Sequence, residues 1–369
     1  MECFHATWPE AQEYLESFNK KVFQLRVPLS GSIDLTHRCN LRCVHCYIGS
    51  QSAVRKKRRQ ETNTKLLLSV IDEIADAGCL FLLLTGGEPL MRSDFADIYG
   101  YLRSKGILVT VFTNGTLITD AIVRLFKSFP PQAVEVSLYG ASAETYERIT
   151  GVEGSYKRCL SGIERLLEYN IPVKLKTVLM TLNRHEFTDI EYLARNLGAK
   201  FRFDAAIFPR LNGDQDPLRL RVSPEEAVEL ECSDGERLRQ WRDYCEKFRN
   251  VTLPENLYSC GAGVTSFHID PYGYLLPCLM TRAICYRLSA ETGNFLDGWR
   301  WVMSRIAEKK IGVDFDCNKC QNRIVCGYCP AFFGMENGRE DARSEYLCAM
   351  SKHRLRMIRE EDRRNERKV

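Results

Sequence analysis

The stretch LTHRCNLRCVHCY, residues 35–47, sets Cys39, Cys43 and Cys46 at C-x3-C-x2-C spacing directly after a short apolar run, SIDLT (32–36). Five more such runs follow: LFLLLT (80–85), ILVTVF (107–112), AVEVSL (133–138), VKLKTVLM (173–180) and KFRFDAA (200–206). Near-continuous apolar runs of this length suit parallel strands covered on both faces. Helical patterns separate them. In 65–76, Leu67, Val70, Ile71 and Ile74 mark one face, and Gly78 stands where a helix would stop. Residues 94–105 end at Gly106, 156–169 at Asn170, and 186–196 at Gly198. Strand–helix alternation with short connections argues repeated βαβ units. Six units are too few for a closed eight-stranded barrel, so the expected fold class is α/β, a partial (β/α)6 TIM-like barrel. The cysteine loop then lies at the C-terminal face, where barrel chemistry sits.

Beyond 210 the alternation stops. Residues 211–255 are charged and helical in character and read as a bridge. From Cys260 to Cys348 the chain is rich in Cys, Gly and turn signals with few long periodic segments, so metal centres are expected to organise it. The expected divisions are an N-terminal extension (1–28), the barrel (29–210), the bridge (211–255), a cysteine-rich domain (256–350) and a charged tail (351–369).

Composition narrows the function. The 369 residues are 44% hydrophobic and 27% charged, which excludes bulk disorder. Lys plus Arg is 52 against 48 Asp plus Glu; the net +4 is too weak to suggest nucleic acid or membrane as a partner. The longest purely apolar run, 80–84, is far too short for a bilayer. The acidic start MECFHATWPEAQEY lacks the apolar core of a signal peptide, so a cytoplasmic location is expected. Sixteen cysteines in an exported chain would be disulfides. In a reducing cytosol, clustered cysteines more often hold metal or iron–sulfur centres. Scattered Cys3, Cys79, Cys159, Cys232, Cys245 and Cys285 read as buried or inert thiols. The basic run RKKRR (55–59) reads as a solvated loop or, alternatively, a contact to an acidic substrate.

Three thiolates leave the fourth iron of a 4Fe–4S cluster open for a ligand. A zinc loop borrowing His37 or His45 is the alternative. With GGEPL (86–90) following the second run, the cysteine loop resembles the radical S-adenosylmethionine (SAM) superfamily. That resemblance implies that Cys39, Cys43 and Cys46 hold a 4Fe–4S cluster whose unique iron is chelated by SAM. It further implies reductive cleavage of SAM to a 5′-deoxyadenosyl radical that abstracts hydrogen from substrate. Gly86, Gly87, Glu88 and Pro89 would contact the methionine moiety, the glycines permitting close backbone approach. By the same resemblance Tyr47, Asn114 in TNGT (113–116), Ser137, Arg148 and Asn183 would contact SAM, with Glu186 in the adenosine region. Asn114-Gly115 also reads as a turn, and Arg148 as a surface helix residue. Tyr139 stands in SLYG where many relatives carry Asp.

The second cysteine set reads C-x12-G-x4-C (260–278), CNKCQNRIVCGYC (317–329) and Cys348. It resembles the SPASM extension of radical SAM enzymes, which holds two auxiliary 4Fe–4S clusters. The resemblance assigns Cys317, Cys320, Cys326 and Cys348 to the outer cluster and Cys260, Cys278 and Cys329 to the inner one. The last spacing here is C-x2-C where C-x3-C is usual. Taken alone, C-x2-C-x5-C-x2-C also fits a closed tetrahedral zinc site. Gly273 in DPYG marks a tight turn.

What the resemblance implies is an oxidoreductase that modifies a ribosomally made peptide by cross-linking or dehydrogenation. A small-molecule substrate in cofactor, haem-type or antibiotic-sugar biosynthesis is the alternative, and a non-enzymatic iron–sulfur or zinc protein a more distant one. The implied partners are a low-potential electron donor such as flavodoxin or ferredoxin and a separate leader-recognition protein. Leu279 stands where sulfatase-maturing relatives carry Asp. Asp204, at the end of the sixth run, is the expected substrate-contacting catalytic carboxylate; a salt bridge to Arg202 or Arg210 is its alternative role.

Overall fold

The computed structural model describes residues 11–248, 256–289, 291, 293–312 and 315–366. Cys3, the first ten residues of the N-terminal extension and the end of the bridge lie outside them. Six parallel strands, β1 (Ser30–Thr36), β2 (Phe81–Gly86), β3 (Leu108–Thr113), β4 (Ala133–Ser137), β5 (Val173–Val178) and β6 (Lys200–Asp204), neighbour one another in chain order. On the far side of β1 the sheet continues through β7 (Ser266–Ile269), parallel to β1, and antiparallel β8 (Tyr274–Leu276) and β9 (Tyr286–Arg287). The barrel is unclosed: β6 and β9 are the two edges of one nine-stranded sheet.

After α1 (Ala11–Leu25) and the short α2 (Gln51–Lys56), the barrel helices are α3 (Thr64–Asp76), α4 (Phe95–Ser104), α5 (Asp120–Ser128), α6 (Ala143–Thr150), α7 (Ser155–Glu168) and α8 (Phe187–Asn196). Their starts follow local chemistry. Asn63, Thr119 and Ser142 accept backbone N–H groups at the starts of α3, α5 and α6, each such cap contributing about 1 kcal/mol. Gly151 ends α6 at φ 67°, in the left-handed region. Buried Leu67, Val70, Ile71 and Ile74 face the sheet from α3, and Phe95, Tyr99 and Phe126 interlock between α4 and α5.

Two expectations require correction. The strands are not covered on both faces: β3 and β5 alternate buried and half-buried residues, and only their helix-facing side is dry core. The other side lines an internal cavity, so polar Lys176 fits there, over the Phe112 ring. The cysteine-rich part is also not poor in apolar core. Phe267, Ile269, Leu275, Phe295, Trp299, Val302 and Ile306 belong to the same contiguous core as the barrel. Much of this comes from α11 (Phe295–Glu308), after the bridge helices α9 (Pro224–Cys232) and α10 (Gly235–Lys247). The chain closes with α12 (Pro330–Asn337) and α13 (Glu345–Glu366). Cys79, Cys159 and Cys232 are buried, while Cys285 is exposed.

Candidate active site and cluster cavities

A cavity of about 900 Å³ opens at the C-terminal ends of the strands. Cys39, Cys43 and Cys46 line it, as do Gly86, Gly87, Asn114, Ser137, Tyr47 and Asp204. The cysteine loop leaves β1 and is held from several sides. Gln51 at the start of α2 accepts from the Cys39 N–H at 2.8 Å and donates to the His37 carbonyl at 3.2 Å. Arg42 and Val44 donate backbone bonds to Thr150 and Ile149 of α6. The Asn114 side chain donates to Asn40 at 2.8 Å and lies 3.7 Å from the Cys39 sulfur.

The glycines are dictated by contact. Gly86 has φ 120°, and a Cβ there would meet the Thr36 carbonyl oxygen at 2.3 Å. On Gly87 it would meet the Arg38 and His37 oxygens at 2.3 and 2.5 Å. The Gly87 N–H donates to Thr36 and the Glu88 N–H to Arg38, so the GGEP segment is stitched to the cysteine loop. Glu88 itself is fully buried and accepts from Thr113 Oγ1, the Asn114 N–H and the Leu90 N–H. Burial pushes its carboxyl up to about 7 against those three bonds. Pro89 is buried in the short turn that Glu88 caps.

Burial raises the thiols of Cys39, to about 12, and of Cys43 and Cys46; Cys46 adds to the rise at Cys39 and Cys43. Such thiols hold their protons until a metal displaces them. Half-buried His45, between Cys43 and Cys46 in sequence, meets Tyr139 edge-on at 4.6 Å, and its buried Nδ1 has no partner among the described residues. Three convergent thiols, a backbone cradle without room for a Cβ, and an unpartnered buried imidazole nitrogen fit a cluster with SAM beside it.

The remaining positions divide. Asp204 lines the cavity, and among the described residues its carboxylate accepts from the Ala206 N–H at 2.8 Å. Its expected salt-bridge alternatives pair elsewhere, Arg202 with Glu135 and Arg210 with Asp214 and Asp216. Arg148 is exposed and donates to the Leu182 carbonyl, outside the cavity lining. Asn183 is buried and spends its side chain on Met180, Tyr139 and Val178. Glu186 binds Ala141, Ser142 and Thr145, fixing the loop into α6.

Two cavity groups, Lys176 and His268, and buried Asp34 beside His268 had no part in the sequence expectations. Lys176 of β5 sits 3.0 Å over the Phe112 ring, and burial, with Arg202 beside it, lowers its amine to about 7. His268 of β7 bonds Ser32 at 2.8 Å and lies 3.6 Å from Asp34. Burial opposes ionisation of Asp34, yet His268 and His37 hold it below the usual carboxylate range. The signal was present in VKLK, where lysine alternates with Val and Leu along a strand; inward-facing polar residues mark a strand that lines a site.

The C-terminal thiols form two sets. Cys317, Cys320, Cys326 and Cys348 line one cavity of about 80 Å³ with Arg323 and Arg343. Burial raises Cys317 to about 11 and Cys326 to about 12, with the other thiols adding to it. Burial raises the thiols of Cys329, to about 11, and of Cys260, and Cys278 lies close enough to add to both. Cys278 also lines the large cavity, so this second set borders the space that holds Cys39, Cys43 and Cys46.

An unclosed parallel barrel with a three-cysteine loop docked on a GGEP turn defines a class of SAM-cleaving iron–sulfur enzymes. The family model of the radical SAM superfamily matches residues 33–195. Over 347 residues, 87% of this chain and 92% of the relative, the sequence is 31% identical to an AdoMet-dependent heme synthase of Nitratidesulfovibrio vulgaris. The chain belongs to the radical SAM superfamily. It is 36% identical over 220 residues to an AdoMet-dependent heme synthase of Methanosarcina barkeri, a match to 60% of this chain and 59% of the relative. It is 29% identical over 264 residues to the antilisterial bacteriocin subtilosin biosynthesis protein of Bacillus subtilis, covering 69% and 55%. The chain thus spans little more than half the length of these two relatives. Streptococcus suis SuiB bound to precursor peptide SuiA shares the fold at TM-score 0.71 and 17% identity, over 94% of this chain and 83% of that one. Among the described residues no helix is long and apolar enough to cross a membrane.

Proposed function

We propose that this radical SAM enzyme oxidatively modifies a ribosomally made peptide, cross-linking or dehydrogenating a side chain inserted into the large cavity. When bound, the Cys39/Cys43/Cys46 cluster and SAM supply the primary carbon radical that takes hydrogen from substrate. One observation carries the peptide reading: the cavity volume of about 900 Å³. It is near the upper end for a single drug-sized ligand, roughly 300–1,000 Å³. SAM and a cluster use much of it, and a side chain fits what remains while its backbone stays outside. The relationship to the subtilosin biosynthesis protein supports this reading.

In this reading Gly86, Gly87, Glu88, Tyr47, Asn114 and Ser137 position SAM, while Phe208 and Leu279 help exclude water from the reacting carbon. Asp204, free of any cation partner among the described residues, would receive the proton that the substrate loses, while an auxiliary cluster would supply the acceptor for the accompanying electron. Cys260, Cys278 and Cys329 would hold an inner auxiliary cluster beside the substrate, and Cys317, Cys320, Cys326 and Cys348 an outer one. A separate leader-recognition protein would deliver the peptide. The enzyme would work in a reducing cytoplasm, where free thiols persist.

A second reading has its own observation. Lys176, Arg202, Arg210 and Arg42 give the cavity a basic lining suited to an acidic tetrapyrrole, and the relative matched along nearly its whole length is a heme synthase. Anaerobic incubation of the loaded enzyme with neighbouring-gene peptides or with an iron porphyrin separates the two. The peptide reading expects deoxyadenosine formed together with loss of paired hydrogens from a peptide. Coupling to the porphyrin alone would overturn it.

A further inference from the structure

Residues 55–59 of the basic run are all exposed, and none forms an ion pair among the described residues. Only Val54 of α2 is buried, pinning the helix while its cations face solvent. The surface continues onto the C-terminal part. Lys57 lies 5.9 Å over the Tyr272 ring and lines a groove of about 440 Å³ together with Tyr274, Arg282 and Arg287. Arg282 pairs with Asp270 at 3.0 Å, and the nearby Glu61 is taken by Arg38. Seven cations against Asp270 leave +6 here, on a chain whose formal total is +4. The rest of the molecule is therefore slightly acidic. A one-sign field of this kind, unpaired at its centre, is a steering feature.

Its location gives it a use. The same α2 that carries Arg55 and Lys56 begins at Gln51, whose side chain holds the Cys39 N–H and the His37 carbonyl. Ser50 and Gln51 line the large cavity, so α2 is the wall between the cysteine loop and solvent. Six helical residues rise about 9 Å, so the cations stand within one short helix of the loop. We propose that the face built from residues 55–59, Arg282 and Arg287 docks an acidic, low-potential one-electron carrier protein. The reduced carrier gives up one electron and is itself oxidised by one. The cluster held by Cys39, Cys43 and Cys46 gains that electron, and no proton or bond changes hands. An acidic leader peptide is the competing occupant. In the peptide reading a separate protein takes up the leader, whereas an electron carrier needs contact close to the cysteine loop, so the placement favours the carrier. This inference stands on family membership and does not depend on the peptide reading.

The test uses the reconstituted enzyme and a fluorophore-labelled, purified flavodoxin, with binding read by anisotropy. Wild-type affinity should fall steeply with salt. The R55E/K56E/R58E variant, which cancels the +6 face, should bind at least about tenfold more weakly at low salt. Deoxyadenosine formation driven by flavodoxin should slow by a similar factor, while dithionite-driven formation stays unchanged. The R356E/R359E/R363E control on exposed positions of α13 should bind flavodoxin as wild type does. If the charge-reversal variant folds poorly, the R55A/K56A/R58A variant should show a smaller loss of the same sign. Unchanged flavodoxin affinity, or equal loss in both triple variants, would overturn the proposal. So would a loss confined to peptide binding, which would assign the face to the leader.

Discussion

Gly87→Ala tests whether the GGEP segment and the cysteine loop act as one unit. The added Cβ would sit 2.3 Å from the Arg38 oxygen and 2.5 Å from the His37 oxygen, against 3.4–4 Å for ordinary contact. Both obstacles are backbone atoms that cannot rotate aside, so the two loops must part by about 1 Å. Overpacking of this kind costs about 1–3 kcal/mol. Parting also weakens the Gly87-to-Thr36 and Glu88-to-Arg38 bonds, at about 1 kcal/mol each. A total of about 3–5 kcal/mol should lower Tm by about 4–6 °C, because an unfolding entropy of about 2.1 cal/mol/K per residue sums to about 0.8 kcal/mol/K over 369 residues. The displaced loop should lose one cluster, about four irons per chain. Differential scanning fluorimetry and iron analysis read both. Gly100→Ala in α4 is the matched control: nothing lies within 4 Å of its would-be Cβ, and the helix should gain about 0.5–1 kcal/mol. A Gly87→Ala protein with wild-type Tm and iron content would refute the reasoning.

Lys176→Met should raise Tm at neutral pH and flatten its pH dependence. Burial holds the Lys176 amine at about 7 in the folded protein against 10.5 ordinarily. The unfolded chain therefore binds more protons between those values, and wild-type stability rises with pH across that window; an unaltered slope in the variant would count against this environment. Asp204→Asn should leave deoxyadenosine formation intact while product formation falls about 100-fold, the lower end for a lost general base; unchanged product would remove the role. Arg92→Met should cost about 3 kcal/mol in chemical denaturation, because buried Arg92 ties the Leu35 and Thr62 carbonyls to Asp94. The Arg92 guanidinium holds Asp94 at about 2 against 3.8 ordinarily. This stabilisation is therefore full above pH 4, is lost as pH falls through about 2, and should be missing from the Arg92→Met acid titration.

The barrel was legible because the apolar runs were bounded by turn residues and helix stops at Gly78, Gly106 and Gly198. The cysteine loop and GGEP were legible because their spacing is local. What failed was anything requiring knowledge of a strand's two faces. Lys176 in an apolar run reads as incidental until β5 is seen with one side against α7 and the other on a cavity. Asp34 and His268 are 234 residues apart and meet only because β7 pairs with β1. In the C-terminal part, turn-rich composition concealed that Phe295, Trp299 and Val302 of α11 recur at helical spacing. They pack on Phe267 and extend the barrel's core. Arg148 and Asn183, whose chain positions suggest ligand contact, lie outside the cavity lining and bond to nearby backbone.

The most direct measurement is iron, sulfide and zinc per chain after anaerobic reconstitution, for the wild type and the C39A/C43A/C46A variant. Three 4Fe–4S clusters predict about twelve irons, falling to about eight in the variant, with no zinc. About four irons with about one zinc would contradict the account: the C-terminal thiols would then be a structural zinc site. Iron content that does not change on loss of Cys39, Cys43 and Cys46 would contradict it at its centre.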